Sequence, residues 1–187
     1  MGMAASPWGI PNCMNAPLYP SRFLNDDALL AQCRVDLYRG SGPGGQKRNK
    51  TSNAVRITHL PTRLSATATE SRSLALNRLH ALRRLRMRLI TEIREPIDIV
   101  RFDPPDWLRS IRLNGRLDVS HRHPFYYATA GLMLDLFAIN GNPAAAAVSL
   151  GVTTTTVIKL LEDDHQLWAA ANAIRTKAGM ASLTHRG

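Results

Sequence analysis

Residues 39–50, RGSGPGGQKRNK, combine a side-chain-free backbone with dense positive charge. Gly40, Gly42, Gly44 and Gly45 remove every Cβ where the chain must take a positive φ or approach another molecule closely, and Pro43 limits how far the segment can wander. Gln46 follows, and then Lys47, Arg48, Asn49 and Lys50. Such a stretch suits a main chain pressed against a polyanion. It is not a phosphate-binding loop of the nucleoside triphosphatases, because no Gly-Lys-Ser/Thr follows at the required spacing. Nor is it a dinucleotide fingerprint, because the next pattern is a strand and not a helix.

Elements that could hold this segment flank it. Residues 34–39, RVDLYR, alternate as a strand and run straight into the glycines; residues 53–59, NAVRITH, alternate again. Leu60-Pro61-Thr62-Arg63 reads as a turn, and residues 64–69 return as a third strand, giving a hairpin. A long helix is expected from Thr69 or Ser71 to Glu95, ended by Pro96. Leu79, Leu82, Leu85, Leu89 and Ile93 form its apolar stripe. Arg72, Arg78, Arg83, Arg84, Arg86 and Arg88 crowd its other faces. Before the first strand, DDALLAQC reads as a short helix with acids at its positive end.

The charge distribution supports a polyanionic partner. The 187-residue chain carries a net charge of +10. Residues 34–122 hold 19 Lys and Arg against 8 Asp and Glu, whereas residues 123–187 hold 4 against 4. Release of counterions from phosphates would then supply much of the binding free energy. Cys13 and Cys33, twenty residues apart, match no zinc pattern, so no metal or cofactor is implied. With no apolar run of membrane-spanning length and no signal-like N-terminus, the expected location is cytoplasmic.

Taken together, SGPGGQKRNKTSNAVRITHLPT resembles the signature of the class I peptide chain release factor catalytic domain, the GGQ domain shared with ribosome-rescue peptidyl-tRNA hydrolases. The likeness spans about residues 33–95, including Asn49-Lys50-Thr51, Pro61-Thr62, Ser71-Arg72-Ser73 and Asn77-Arg78. It implies hydrolysis of the ester of P-site peptidyl-tRNA in the ribosomal peptidyl transferase centre, with Gly44, Gly45 and Gln46 as the catalytic residues. The main-chain N–H of Gln46 would stabilise the oxyanion that develops on water attack. Its side-chain amide has no useful pKa and would position water. Arg39, Lys47, Arg48, Asn49, Lys50, Arg56, Arg72, Arg78, Arg83 and Arg84 would bind RNA. The partners so implied are large-subunit rRNA, P-site peptidyl-tRNA and a glutamine methyltransferase acting on Gln46. Lys47-Arg48 stands where many members have His-Val. The 32 residues before Cys33 are too few for a decoding domain, so codon-independent action is expected. A ribosome- or RNA-binding factor that cuts no ester is the alternative.

The expected fold is α+β: a sheet of three or four strands covered by the long basic helix, with the glycine loop projecting, followed by a small all-α module. Residues 1–22 read as a loosely ordered arm, 23–102 as the catalytic domain, 103–122 as a linker and 123–187 as the helical domain. Within 97–122, IDIVRF carries a strand pattern. Beyond it, residues 125–139, 143–150, 154–162 and 165–178 read as helices. AAAAVSLGVTTTTVIKLL has a helix-turn-helix layout, but four threonines with Lys159 alone, followed by Glu162, Asp163 and Asp164, argue against DNA reading and for a packing or protein-docking module.

Overall fold

The computed structural model describes residues 25–38 and 53–184. They fall into two units, one within residues 21–89 and the other from residue 90 onward.

The first unit opens with α1 (Asp26–Ala31). The Asn25 side chain accepts from the Ala28 N–H at 2.8 Å, and Asp26 and Asp27 occupy the positive end of the helix. Leu29, fully buried, anchors it. Strands β1 (Cys33–Tyr38), β2 (Ala54–His59) and β3 (Ser65–Ala68) form an antiparallel sheet in the order β1-β2-β3. Val55, Ile57 and His59 of the central strand are buried, and Arg56 between them is exposed, as the period of two requires. The turn into β3 is closed by His59 and Arg63 main-chain bonds, with Arg63 at φ 62°. Helix α2 (Leu74–Glu92) buries Ala81, Leu82, Leu85 and Leu89. It is shorter than the sequence pattern at both ends; at its start the Ser71 hydroxyl accepts from the Ser73 N–H and the Ser73 hydroxyl from the Leu76 N–H, local bonds that compete with an earlier helical turn.

In the second unit, residues 97–102 form a turn where a strand pattern was read. The Asp98 carboxylate accepts from Val100 N–H and its carbonyl from Arg101 N–H, local bonds that replace a strand ladder. Residues 103–122 contain α3 (Asp106–Ser110) and a two-stranded hairpin, β4 (Arg112–Leu113) and β5 (Arg116–Leu117). Asn114 and Gly115 take φ of 49° and 72° at its tip, as a tight hairpin turn demands. Helix α4 (Tyr126–Asn140) is apolar around nearly its whole circumference and buried to match. It packs against α5 (Pro143–Leu150), α6 (Thr154–Glu162) and α7 (His165–Lys177). Caps fix each boundary: Asn142 with Pro143 starts α5, Gly151 in the left-handed region ends it, Thr153 starts α6 and Asp164 starts α7. Buried Asp135 of α4 accepts from Arg94 at 3.2 Å and from the Glu95 N–H at 3.1 Å.

Candidate functional site

The register of β1 against β2 sets the site. Tyr38 and Ala54 are paired across the two strands, so the chain leaves the sheet and re-enters it at neighbouring points of one edge. Residues 39–52, between them, lie outside the described residues. They include Arg39, Gly44, Gly45, Gln46, Lys47, Arg48, Asn49 and Lys50.

The return side of this opening is clamped by two asparagines. Asn77, in the first turn of α2 and with no exposed surface, donates from Nδ2 to the Asn53 carbonyl at 2.6 Å and to the Ser71 carbonyl at 2.9 Å. Its Oδ1 accepts from the Ser71 N–H at 2.9 Å. Asn53 in turn donates from Nδ2 to the Arg72 carbonyl at 2.8 Å. A buried amide satisfied in this way fixes Asn53 against residues 71–73 with both donor and acceptor engaged. Neither asparagine was picked out as a site residue from sequence. The available signal was an amide side chain on the face of a helix otherwise occupied by leucines.

The arginines of this unit divide into two groups. Arg72, Arg78 and Arg83 are exposed and free to meet a phosphate backbone. Arg56 is also exposed and stands 5.5 Å from the Tyr38 ring, a cation–π contact at the edge where the chain leaves the sheet. Arg84 is committed to its own fold: it donates to the Thr67 carbonyl at 2.6 Å and pairs with Glu70, whose carboxyl this bond holds down at about 2. Arg86, 6% exposed, pairs with Asp26 of α1 at 2.8 Å, and Arg88 donates to the Ser65 carbonyl. The dense arginine run therefore holds both exposed cations and the stitches that tie α2 to the sheet and to α1.

His59 belongs to the scaffold. Its Nδ1 meets the Thr62 hydroxyl at 2.8 Å and its Nε2 the Gln32 side-chain oxygen at 3.1 Å, and burial pushes its pKa below the ordinary value. With Nε2 facing an oxygen that only accepts, the ring carries its proton there and takes the Thr62 hydroxyl at Nδ1. Cys33 donates to the Leu29 carbonyl at 3.2 Å, and burial raises its thiol, with Arg86 opposing the shift.

Sheet, clamp and exposed cations thus frame one edge whose connecting segment holds Gly-Gly-Gln. Residues 29–98 match the RF-1 domain. Among curated relatives, peptide chain release factor 1 of Kineococcus radiotolerans is 52% identical over 65 residues, 35% of this chain and 18% of the relative. That of Thermobifida fusca is 52% identical over 59 residues, 32% and 17% of the two chains. That of Caulobacter vibrioides is 50% identical over 68 residues, 36% and 19%. The chain spans under a fifth of the length of these relatives, and the likeness is confined to the RF-1 domain. All three strands, the Asn53–Asn77 clamp and helix α2 lie inside the matched residues. No single helix among the described residues is long and apolar enough to cross a membrane.

Proposed function

We propose that this protein is a release-factor-like hydrolase that cleaves the peptidyl-tRNA ester in the peptidyl transferase centre of the ribosome. The observation that carries the reading is an unaltered Gly44-Gly45-Gln46 in the segment whose two ends, Tyr38 and Ala54, are paired at one edge of an RF-1 domain sheet. Termination factors named as peptide chain release factor 1 share this domain at about 50% identity.

In this reading, water attacks the ester carbon and the carbonyl oxygen gains negative charge. The Gln46 main-chain N–H donates to that oxygen more strongly in the transition state than in the ground state, which is the condition for acceleration. Gly44 and Gly45 leave the approach free of Cβ atoms, and the Gln46 amide positions the water. The attacking water gives up its proton to the surrounding RNA and solvent, and the leaving 3′-oxygen of the tRNA terminal adenosine takes one from the same source, since the Gln46 amide neither takes nor gives a proton at neutral pH. Lys47, Arg48, Lys50, Arg56, Arg72, Arg78 and Arg83 supply phosphate contacts that hold the domain on rRNA. A single oxyanion donor is worth about 10²–10³ in rate.

We further infer that release is independent of a stop codon and serves ribosome rescue, a reading supported by a second unit built as a helical module with a small hairpin. Release of labelled peptide from ribosomes carrying P-site peptidyl-tRNA tests both readings. Gly45→Ala is expected to lower the rate by at least about 100-fold while leaving ribosome binding within twofold. Equal rates for wild type and Gly45→Ala would overturn the catalytic reading. A rate that depends on a stop codon in the A site would overturn the codon-independent one.

A further inference from the structure

We propose that Arg84 and Arg88 of α2 guard the outer edge of β3 and keep a second copy of this chain from adding a strand there. This is a property of the RF-1 domain as a folded body and does not depend on the hydrolase reading.

Among the described residues β3 pairs on one side only, with β2, so its other side is an edge of the sheet. The Leu64 carbonyl accepts from the His59 N–H at 2.8 Å. By the alternation of an antiparallel ladder, the main-chain groups of Ala66 and Ala68 then turn toward β2 and those of Ser65 and Thr67 turn outward. Outward groups of this kind are a template for another strand. The segment itself does nothing to discourage one: residues 64–69, LSATAT, carry no charge and no proline.

The charge comes from α2 instead. Arg84 donates from Nη1 to the Thr67 carbonyl at 2.6 Å and Arg88 to the Ser65 carbonyl, so both outward carbonyls of β3 are taken. The spacing makes this fit. Four residues of α-helix rise about 6 Å and two residues of strand about 6.8 Å, so side chains one helical turn apart meet alternate carbonyls of a strand running the opposite way. Glu70 completes the row: it accepts from the Thr69 N–H at 2.8 Å and pairs with Arg84, which holds that guanidinium at the edge.

An added strand would need those two carbonyls as acceptors for its own N–H groups. It meets guanidinium heads, which only donate and keep their charge at any working pH. Arg84 leaves 49% of its side chain exposed, so its cation also faces whatever approaches the edge. In sequence these two arginines are indistinguishable from Arg78 and Arg83 of the same helix, which stand exposed. Only the bonds to β3 separate the two pairs.

The test is sedimentation equilibrium of the full chain over a range of concentrations, with amide hydrogen exchange at the highest to locate any contact. Arg84→Met with Arg88→Met keeps helix propensity and removes the donors. Arg78→Met with Arg83→Met makes the same charge change on the same helix, outside this row of bonds. With rising concentration the guard variant is expected to approach about twice the monomer mass and to slow exchange of the outward Ser65 and Thr67 amides about tenfold or more, while wild type and control keep the monomer mass. Adding Thr67→Pro, which removes an outward N–H and leaves the ladder to β2 intact, should return the guard variant to monomer. Far-UV circular dichroism and unchanged exchange of Val55–His59 show that each variant is folded. If the double variant does not fold, Arg84→Met alone takes its place with the same readouts. No rise in mass, an equal rise in guard and control variants, or association that leaves the Ser65 and Thr67 amides exchanging as before would overturn the proposal. No arm depends on peptide release, so failure here leaves the hydrolase reading intact, and the reverse holds too.

Discussion

Replacing Asn77 with alanine should loosen the edge of the RF-1 domain at which the glycine segment is attached. The substitution deletes three hydrogen bonds at a site with no solvent exposure, those to the Asn53 and Ser71 carbonyls and from the Ser71 N–H. Each made bond contributes a net of about 1 kcal/mol, and a buried partner left unsatisfied costs about 1–3 kcal/mol. Water entering the space vacated by the amide offsets part of this. A loss of roughly 3 kcal/mol follows, near a 100-fold change in an opening equilibrium. Amide hydrogen exchange is the suitable assay because it reports on each unit separately. In Asn77→Ala, amides of Val55–His59 and of the first turns of α2 should exchange about 100-fold faster, while those of α4 keep their protection. Asn77→Asp keeps the acceptor for Ser71 but sets a carboxylate against two carbonyl oxygens, so it should rescue nothing. If Val55–His59 exchange accelerated less than threefold in Asn77→Ala, the clamp would not be a structural element of this edge.

Three other outcomes are expected. Asp135→Ala should destabilise the second unit by about 2–4 kcal/mol, since it removes the acceptor shared by Arg94 and the Glu95 N–H, while Asp135→Asn should recover part of the loss by keeping an acceptor; urea unfolding followed by Trp fluorescence measures both. His59, whose folded pKa lies below its unfolded value of about 6.5, contributes stability that is complete above that pH and is lost as pH falls below it; the urea midpoint should therefore drop on acidification through this range more in wild type than in His59→Gln. On ribosomes at low salt, Arg78→Glu with Arg83→Glu should weaken binding about tenfold or more without shifting the urea midpoint, whereas Arg86→Glu should unfold the first unit by placing a carboxylate, buried, beside Asp26.

The alternation of residues 34–39 and 53–59, the Pro and Gly punctuation and the capping residues are local signals, and local signals were sufficient to place the three strands and all four C-terminal helices within a residue or two, and the helix cover with ends three to five residues too long. The likeness of the region to the RF-1 domain was equally legible, because it rests on residue types in close succession. What no local pattern could decide was which polar side chains look outward. Arg83 and Arg84 are neighbours in sequence and both reach solvent, yet only Arg84 is also bound to Thr67 and Glu70, a difference set by where β3 lies against α2. Asn77 became a clamp only because the return of the chain at Asn53 comes to rest over the start of a helix more than twenty residues later. In the same way, nothing in the run Glu162-Asp163-Asp164 shows that Asp164 caps α7 or that one carboxylate oxygen of Glu162 is buried. Sequence determined the periodicities, the breaks and the glycine-rich segment between β1 and β2; the tertiary structure alone decided which charges are spent inside the fold, because partners distant in the chain compete with solvent for each one.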